Sequence, residues 1–233
     1  MSASRRFYQR VAVAERLKGF GVTLDTRALK TPARSEFVTP THALAEACAS
    51  EWCAQGEHIV PASMPLTQLA FAALDHTPSR RAELVTHIAK YAETDLCCHR
   101  AEASVSLVER QAAAWDPILA WADDALGIKL DAVAGIIAAP ASPEAAARLR
   151  AHTEALGDFR LTALARATEL AGSALIGLAL IHGRLDAEGA FTAAALDELW
   201  SLERWGEDAQ ARGRLEVQRA EFDALARFIT ALG

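Results

Sequence analysis

Apolar positions alternate with polar ones from Phe7 to Val13 and again from Phe20 to Asp25, on either side of Gly19 to Gly21. Alternation of period two with glycines between predicts a β-hairpin. A third strand is predicted over 36–39, after the turn marked by Thr31 and Pro32. The period then lengthens. Thr39-Pro40-Thr41 carries capping hydroxyls and a proline, and opens an amphipathic helix through about Ala54 with Leu44, Ala47, Cys48 and Trp52 on its apolar stripe. The two prolines between Gly56 and Pro65 predict a connection before a helix that starts near Leu66. Beyond Asp75-His76-Thr77-Pro78 almost every window has the 3.6 period. Helices are predicted over 79–91, 104–126, 143–156, 160–182, 187–205 and 207–232. The segment 129–137 is the exception, a short strand or extended stretch able to rejoin the N-terminal sheet.

This pattern predicts an α+β chain, with a small N-terminal domain holding a β-sheet (1–77) and a larger all-helical domain (78–233). The apolar fraction of 52% in 233 residues is ample for real cores and excludes disorder of the whole chain. Alanine is abundant, and Gly172, Ser173 and Gly177 fall within the apolar run 170–181, so close helix packing is expected there. That run is shorter than the ~20 residues needed to cross a bilayer, and it reads as a buried helix rather than a membrane span.

Charge narrows the function. Through Thr77 the chain has eight Lys and Arg against seven Asp and Glu, and beyond it sixteen against twenty-three, for a net −6 overall. The acidic larger part argues against nucleic-acid binding, which needs a basic footprint. Arg5, Arg6, Arg10, Arg16 and Lys18 read as solvated. Four cysteines are too few for a disulfide scaffold, so a reducing compartment is expected. The opening MSASRRFYQ enters a strand-like segment at once, which argues against a signal peptide or transit sequence.

Candidate chemistry is sparse. There is no GxxxxGK[ST] loop, HExxH, GxSxG or paired CxxC, and Gly19 and Gly21 form only a GxG fragment, so no cofactor or catalytic set is expected. Glu93, Asp95, Cys97, Cys98 and His99 contain metal-ligand and nucleophile chemistry, and a small thiol- or metal-dependent hydrolase is the enzymatic alternative. Helical spacing brings at most two of them onto one face, which favours buried thiols and a capped or paired Asp95. The segment 200–208 has two readings. Gly206 is a helix stop, and Glu207 and Asp208 then fall where a following helix welcomes negative charge, which makes a capped corner. Alternatively, one tryptophan is a surface anchor beside two acids that dock a partner's Arg or Lys, since Trp200 and Trp205 cannot point the same way on a regular helix.

Several short signatures stand in order along the chain: RFYQRVAV (6–13), LDTRALKTP (24–32), Pro40-Thr41, Glu51-Trp52, MPLTQLA (64–70), YAETDL (91–96), WDP (115–117) and RWGED (204–208). Together they resemble the assembly chaperones that hold the alpha subunit of the F-type ATP synthase head. The chain has CCHRA (97–101) where a Leu-Cys-Tyr-Arg type of sequence is more usual. The resemblance implies a sheet-containing N-terminal domain, a helical remainder, and a function without enzymatic chemistry. It implies a client, the alpha subunit, whose apolar interface is shielded until the beta subunit arrives, with Trp205, Glu207 and Asp208 as the expected contact residues. Eukaryotic members are mitochondrial, and a bacterial cytoplasmic monomer is expected here. A general holdase is the remaining alternative.

Overall fold

Strands β1 (Val11–Arg16) and β2 (Gly19–Leu24) form an antiparallel hairpin that pairs Val11 with Leu24 and Arg16 with Gly19. A computed structural model describes residues 4–135, 141–206 and 208–233. β2 turns Val22 and Leu24 into the core, as its alternation requires. Gly19 is obligatory in this hairpin: its φ is 144°, and an added Cβ would lie 2.2 Å from the Thr39 carbonyl oxygen. The first strand begins later than the pattern over 7–13 suggests. Residues before Val11 are held by other partners, since the Tyr8 hydroxyl donates to the Trp52 carbonyl at 2.7 Å and the Arg6 amide donates to the Glu57 carbonyl at 2.8 Å.

After a turn at Asp25, where φ is 56°, the two residues of β3 (Arg27–Ala28) complete a sheet of order β1-β2-β3. The strand expected over 36–39 is reduced to isolated bridges, Lys30 with Glu36 and Phe20 with Thr39. A left-handed Arg34 (φ 67°) bends the chain between them. Helix α1 (His42–Cys53) starts at the expected cap, with Thr41 Oγ1 accepting from the Leu44 amide. Helices α2 (Pro65–Asp75) and α3 (Thr77–Lys90) follow.

Two 3-10 turns, Tyr91–Glu93 and Leu96–Cys98, lead into β4 (His99–Arg100) and then α4 (Val105–Leu126). The extended segment, read from the sequence as able to rejoin the N-terminal sheet, pairs elsewhere through its described residues. Its β5 (Val133–Ala134) pairs in parallel with β4, and the Gly135 amide continues the pairing onto the Arg100 carbonyl at 2.9 Å. Residues 136 and 137 of that prediction lie outside the described residues. Helix α5 (Pro143–Ala155) is capped by Ser142.

Two long predicted helices are each broken in two. The first divides into α6 (Asp158–Ala171) and α7 (Ala174–Ile181), because Gly172 adopts φ 65° and Ser173 caps the new helix through the Ile176 amide. All eight residues of α7 are buried, and Gly177 lets Leu164 and Thr168 of α6 approach to 3.0 and 3.1 Å of where a Cβ would sit. The second divides into α8 (Ala187–Ala194) and α9 (Leu196–Trp205), and α10 (Ala209–Ala231) ends the chain. The fold is therefore α+β: a small antiparallel sheet followed by a helical region.

The chain divides into two compact units, one of Met1–Arg81, Asp158–Ala163 and Arg227–Gly233, the other of Ala82–Gly157 and Leu164–Ala226. The first unit holds its distant segments by specific contacts. Phe159 stacks on Phe228 at 6.2 Å, Thr77 and Thr162 share a 2.6 Å hydroxyl bond, and the Thr41 hydroxyl donates to the Ala231 carbonyl. In the second, Trp115 is fully enclosed and donates its indole N–H to the Ala193 carbonyl at 2.9 Å. Among the described residues no helix is long and apolar enough to cross a membrane.

Candidate functional site

Most of the polar signatures spend their polar atoms inside the protein. Met64, which precedes α2, offers no side-chain cap, and the buried Glu51 of α1 supplies one instead. Its Oε1 accepts from the Leu66 amide at 2.9 Å, and its Oε2 accepts from the Thr67 amide and hydroxyl at 2.8 and 2.7 Å. A carboxylate on the first amides of a helix satisfies orphan donors and meets the positive end of the helix dipole. The signatures Glu51-Trp52 and MPLTQLA are thus two halves of one brace. LDTRALKTP is tied down similarly. Asp25 Oδ1 accepts from the Gln9 and Arg10 amides at 3.0 and 2.8 Å, and those bonds hold its carboxyl below the usual range. Thr31 donates its hydroxyl to Asp75 at 2.6 Å.

In YAETDL the decisive residue is Asp95, which is completely buried. Its carboxylate accepts from the Ser173 hydroxyl at 2.6 Å and from the Cys97 and Leu175 amides at 3.1 Å each, so it caps both a 3-10 turn and the N-terminus of α7. Burial raises its pKa despite those donors. The neighbouring WDP pins the following segment: Arg100 lies over the Trp115 ring at 5.1 Å and pairs with Asp116 at 2.6 Å.

This surrounding leaves little for thiol chemistry. Desolvation, reinforced by Asp95, drives the Cys97 thiol well above its ordinary value and the Cys98 thiol up to about 12. Both therefore stay protonated near neutral pH, the reverse of an activated nucleophile. His99 Nδ1 lies 3.4 Å from the Gly135 carbonyl. Among the described residues no three His, Cys, Asp or Glu side chains are grouped to hold a metal. Cys48, on the apolar stripe of α1, is buried, whereas Cys53 is exposed: it is the last residue of α1 and lies off the Leu44–Cys48–Trp52 face.

RWGED differs from all of these. α9 stops at Gly206 with φ 93°, and Trp205, its last residue, is 77% exposed. Arg204 lies between Trp200 and Trp205, 5.5 and 5.8 Å from the ring centres. Asp208 accepts from the Gln210 amide at 2.9 Å, the cap expected before a helix. Glu207, the third expected contact residue, lies outside the described residues. A groove of about 550 Å³ opens beside the corner, with Phe191, Leu199, Leu202 and Leu215 as its apolar surface and Gly206, Asp208 and Glu216 among its lining. Phe191 is itself buried in the core, and the sequence does not single out the α10 wall. Its signal is faint but present: Asp208, Arg212, Leu215, Glu216 and Arg219 recur at helical spacing within a polar helix.

Comparison with known proteins places this geometry. The family model for the ATP12 chaperone protein matches residues 5–123. The crystal structure of Atp12 from Paracoccus denitrificans superposes with a TM-score of 0.94 at 37% identity, covering 99% of each chain. The chain belongs to the ATP12 chaperone family. An aspartate-to-lysine mutant of the Paracoccus Atp12p is equally similar, with a TM-score of 0.94, 36% identity and full coverage of both chains. The mitochondrial protein atp12 of Schizosaccharomyces pombe is 27% identical over 219 residues, which span 88% of this chain and 75% of the yeast protein. ATP12 proteins are chaperones of ATP synthase assembly, and this chain is a bacterial-type relative of the mitochondrial factor. The family match ends at residue 123, so the exposed corner lies in the part carried by the whole-chain structural likeness.

Proposed function

We propose that this ATP12 chaperone binds the unassembled alpha subunit of the F-type ATP synthase head, covers its subunit interface and yields it to the beta subunit. The observation that carries this reading is the corner at the end of α9: Trp205 is left 77% exposed, and a groove lined by Gly206 and Asp208 opens just beyond it in the chain. An exposed tryptophan beside acids has the composition of an interface anchor. Trp205, Glu207 and Asp208 are the proposed contacts. The mechanism is an exchange of partners without covalent chemistry. The chaperone shields an apolar patch that would otherwise aggregate, and the better-fitting beta interface displaces it. Affinity is accordingly intermediate, since a client held too tightly is never released. The protein acts as a monomer in the bacterial cytoplasm, without a cofactor.

The test is capture of purified alpha and beta subunits, offered separately to the immobilised protein, followed by addition of beta to the alpha complex. Selective capture of alpha and its release by beta is the expected result. Equal capture of both subunits would make the protein a general holdase, and capture of neither would overturn the reading.

A further inference from the structure

The groove beside the corner carries a charge pattern as well as an apolar surface. One wall is α9, with Leu199, Leu202 and Glu203; the other is α10, with Leu215 and Glu216 and with Asp208 at its cap. Several of its charges are already matched. Glu203 pairs with Arg110 at 2.7 Å, Arg219 pairs with Glu188 at 2.6 Å, and Arg212 is engaged within the protein. Asp208 and Glu216 have no ion-pair partner among the described residues. The groove therefore presents two carboxylates without an ion-pair partner among the described residues on the rim of an apolar trough, and this selects for positive charge in whatever enters it.

Its dimensions limit the occupant. The α10 wall from residue 208 to residue 219 is about 16 Å long at the helical rise per residue. Asp208 and Glu216 stand about 12 Å apart along it by the same measure. About 550 Å³ lies in the range of sites that take a few side chains rather than a whole helix. An extended strand covers that wall with about five residues.

We propose that this groove seats a short client segment in which a large apolar side chain stands next to lysine or arginine. The apolar group lies on Leu199, Leu202 and Leu215, and the cationic group meets Glu216 or Asp208. This deepens the proposed function and rests on it, because the client is the alpha subunit.

The experiment measures alpha-subunit affinity for the full chain and for Glu216→Lys, Leu202→Ser and Leu202→Met, each first shown to melt as the parent does. Glu216→Lys is expected to weaken binding about tenfold at low salt, with the deficit shrinking as salt is added. Leu202→Ser is expected to weaken it similarly at any salt, while Leu202→Met, which keeps apolar volume, stays near the parent. A photocrosslinking side chain at position 216 then maps the contacted segment, which should contain an apolar residue beside a Lys or Arg. If the parent binds alpha and all three variants bind it equally, the groove inference falls and the proposed function stands. Crosslinks to a segment without a basic residue would also overturn it. If the parent itself does not bind alpha, both fall together.

Discussion

Two carboxylate-bearing signatures of the second unit look alike as text and behave oppositely as structure. Asp95 of YAETDL is completely buried and accepts a hydroxyl and two backbone amides, while RWGED leaves Trp205 mostly exposed and Asp208 with only a local cap. The first spends its hydrogen-bonding capacity on joining a 3-10 turn to α7. The second keeps an aromatic face and a negative charge available. A polar signature at the end of an apolar segment is therefore a brace when internal donors consume it, and a candidate contact when they do not. Glu51 falls with the braces.

Substitutions should separate the two kinds. Asp95→Ala strands the Ser173 hydroxyl and two amides in an apolar interior, so it should cost about 3 to 5 kcal/mol of stability in urea unfolding. Glu51→Ala should cost about 2 to 3 kcal/mol by the same measure, because α2 loses the carboxylate that caps it. Asp95→Asn should cost less and also alter the pH dependence. The folded pKa of Asp95 lies above its ordinary 3.8, so between those two values the folded state keeps a proton that the unfolded state has released. This group's contribution is full below the unfolded pKa and declines as pH rises through the folded one. The asparagine variant removes that decline, and a stability profile unchanged in slope would contradict the assignment. Thiol labelling of the native protein should modify Cys53 quickly and leave Cys48, Cys97 and Cys98 unreacted until unfolding; rapid native labelling of Cys97 or Cys98 would revive the thiol-enzyme alternative. The smallest effect on stability, within about 0.5 kcal/mol, is expected for Trp205→Ala, since an exposed side chain contributes little to the fold.

Much of this was legible in the sequence because the signals were local. Thr41 capping α1 and Gly206 stopping α9 each depend on neighbours along the chain. The breaks at Gly172 and Ala195 were not legible, because apolar residues continue on both sides and hide a cap in the periodicity. Nor was the pairing of β5 with β4, since two-residue strands leave no alternation to read. At the site, the exposure of one tryptophan followed from helical geometry, but the groove did not. It needs α8, α9 and α10 placed side by side, and Leu199, Leu202 and Leu215 look like ordinary core residues when taken one helix at a time.

The most direct test of the central claim is to measure melting temperature and alpha-subunit affinity together on Trp205→Ala and Asp208→Lys. Both variants should melt within a few degrees of the parent, and Trp205→Ala should weaken alpha binding by about 2 kcal/mol, roughly thirtyfold, as loss of an anchoring tryptophan does. Unchanged alpha affinity in both, with the fold intact, would contradict this claim and move the client surface elsewhere on the molecule.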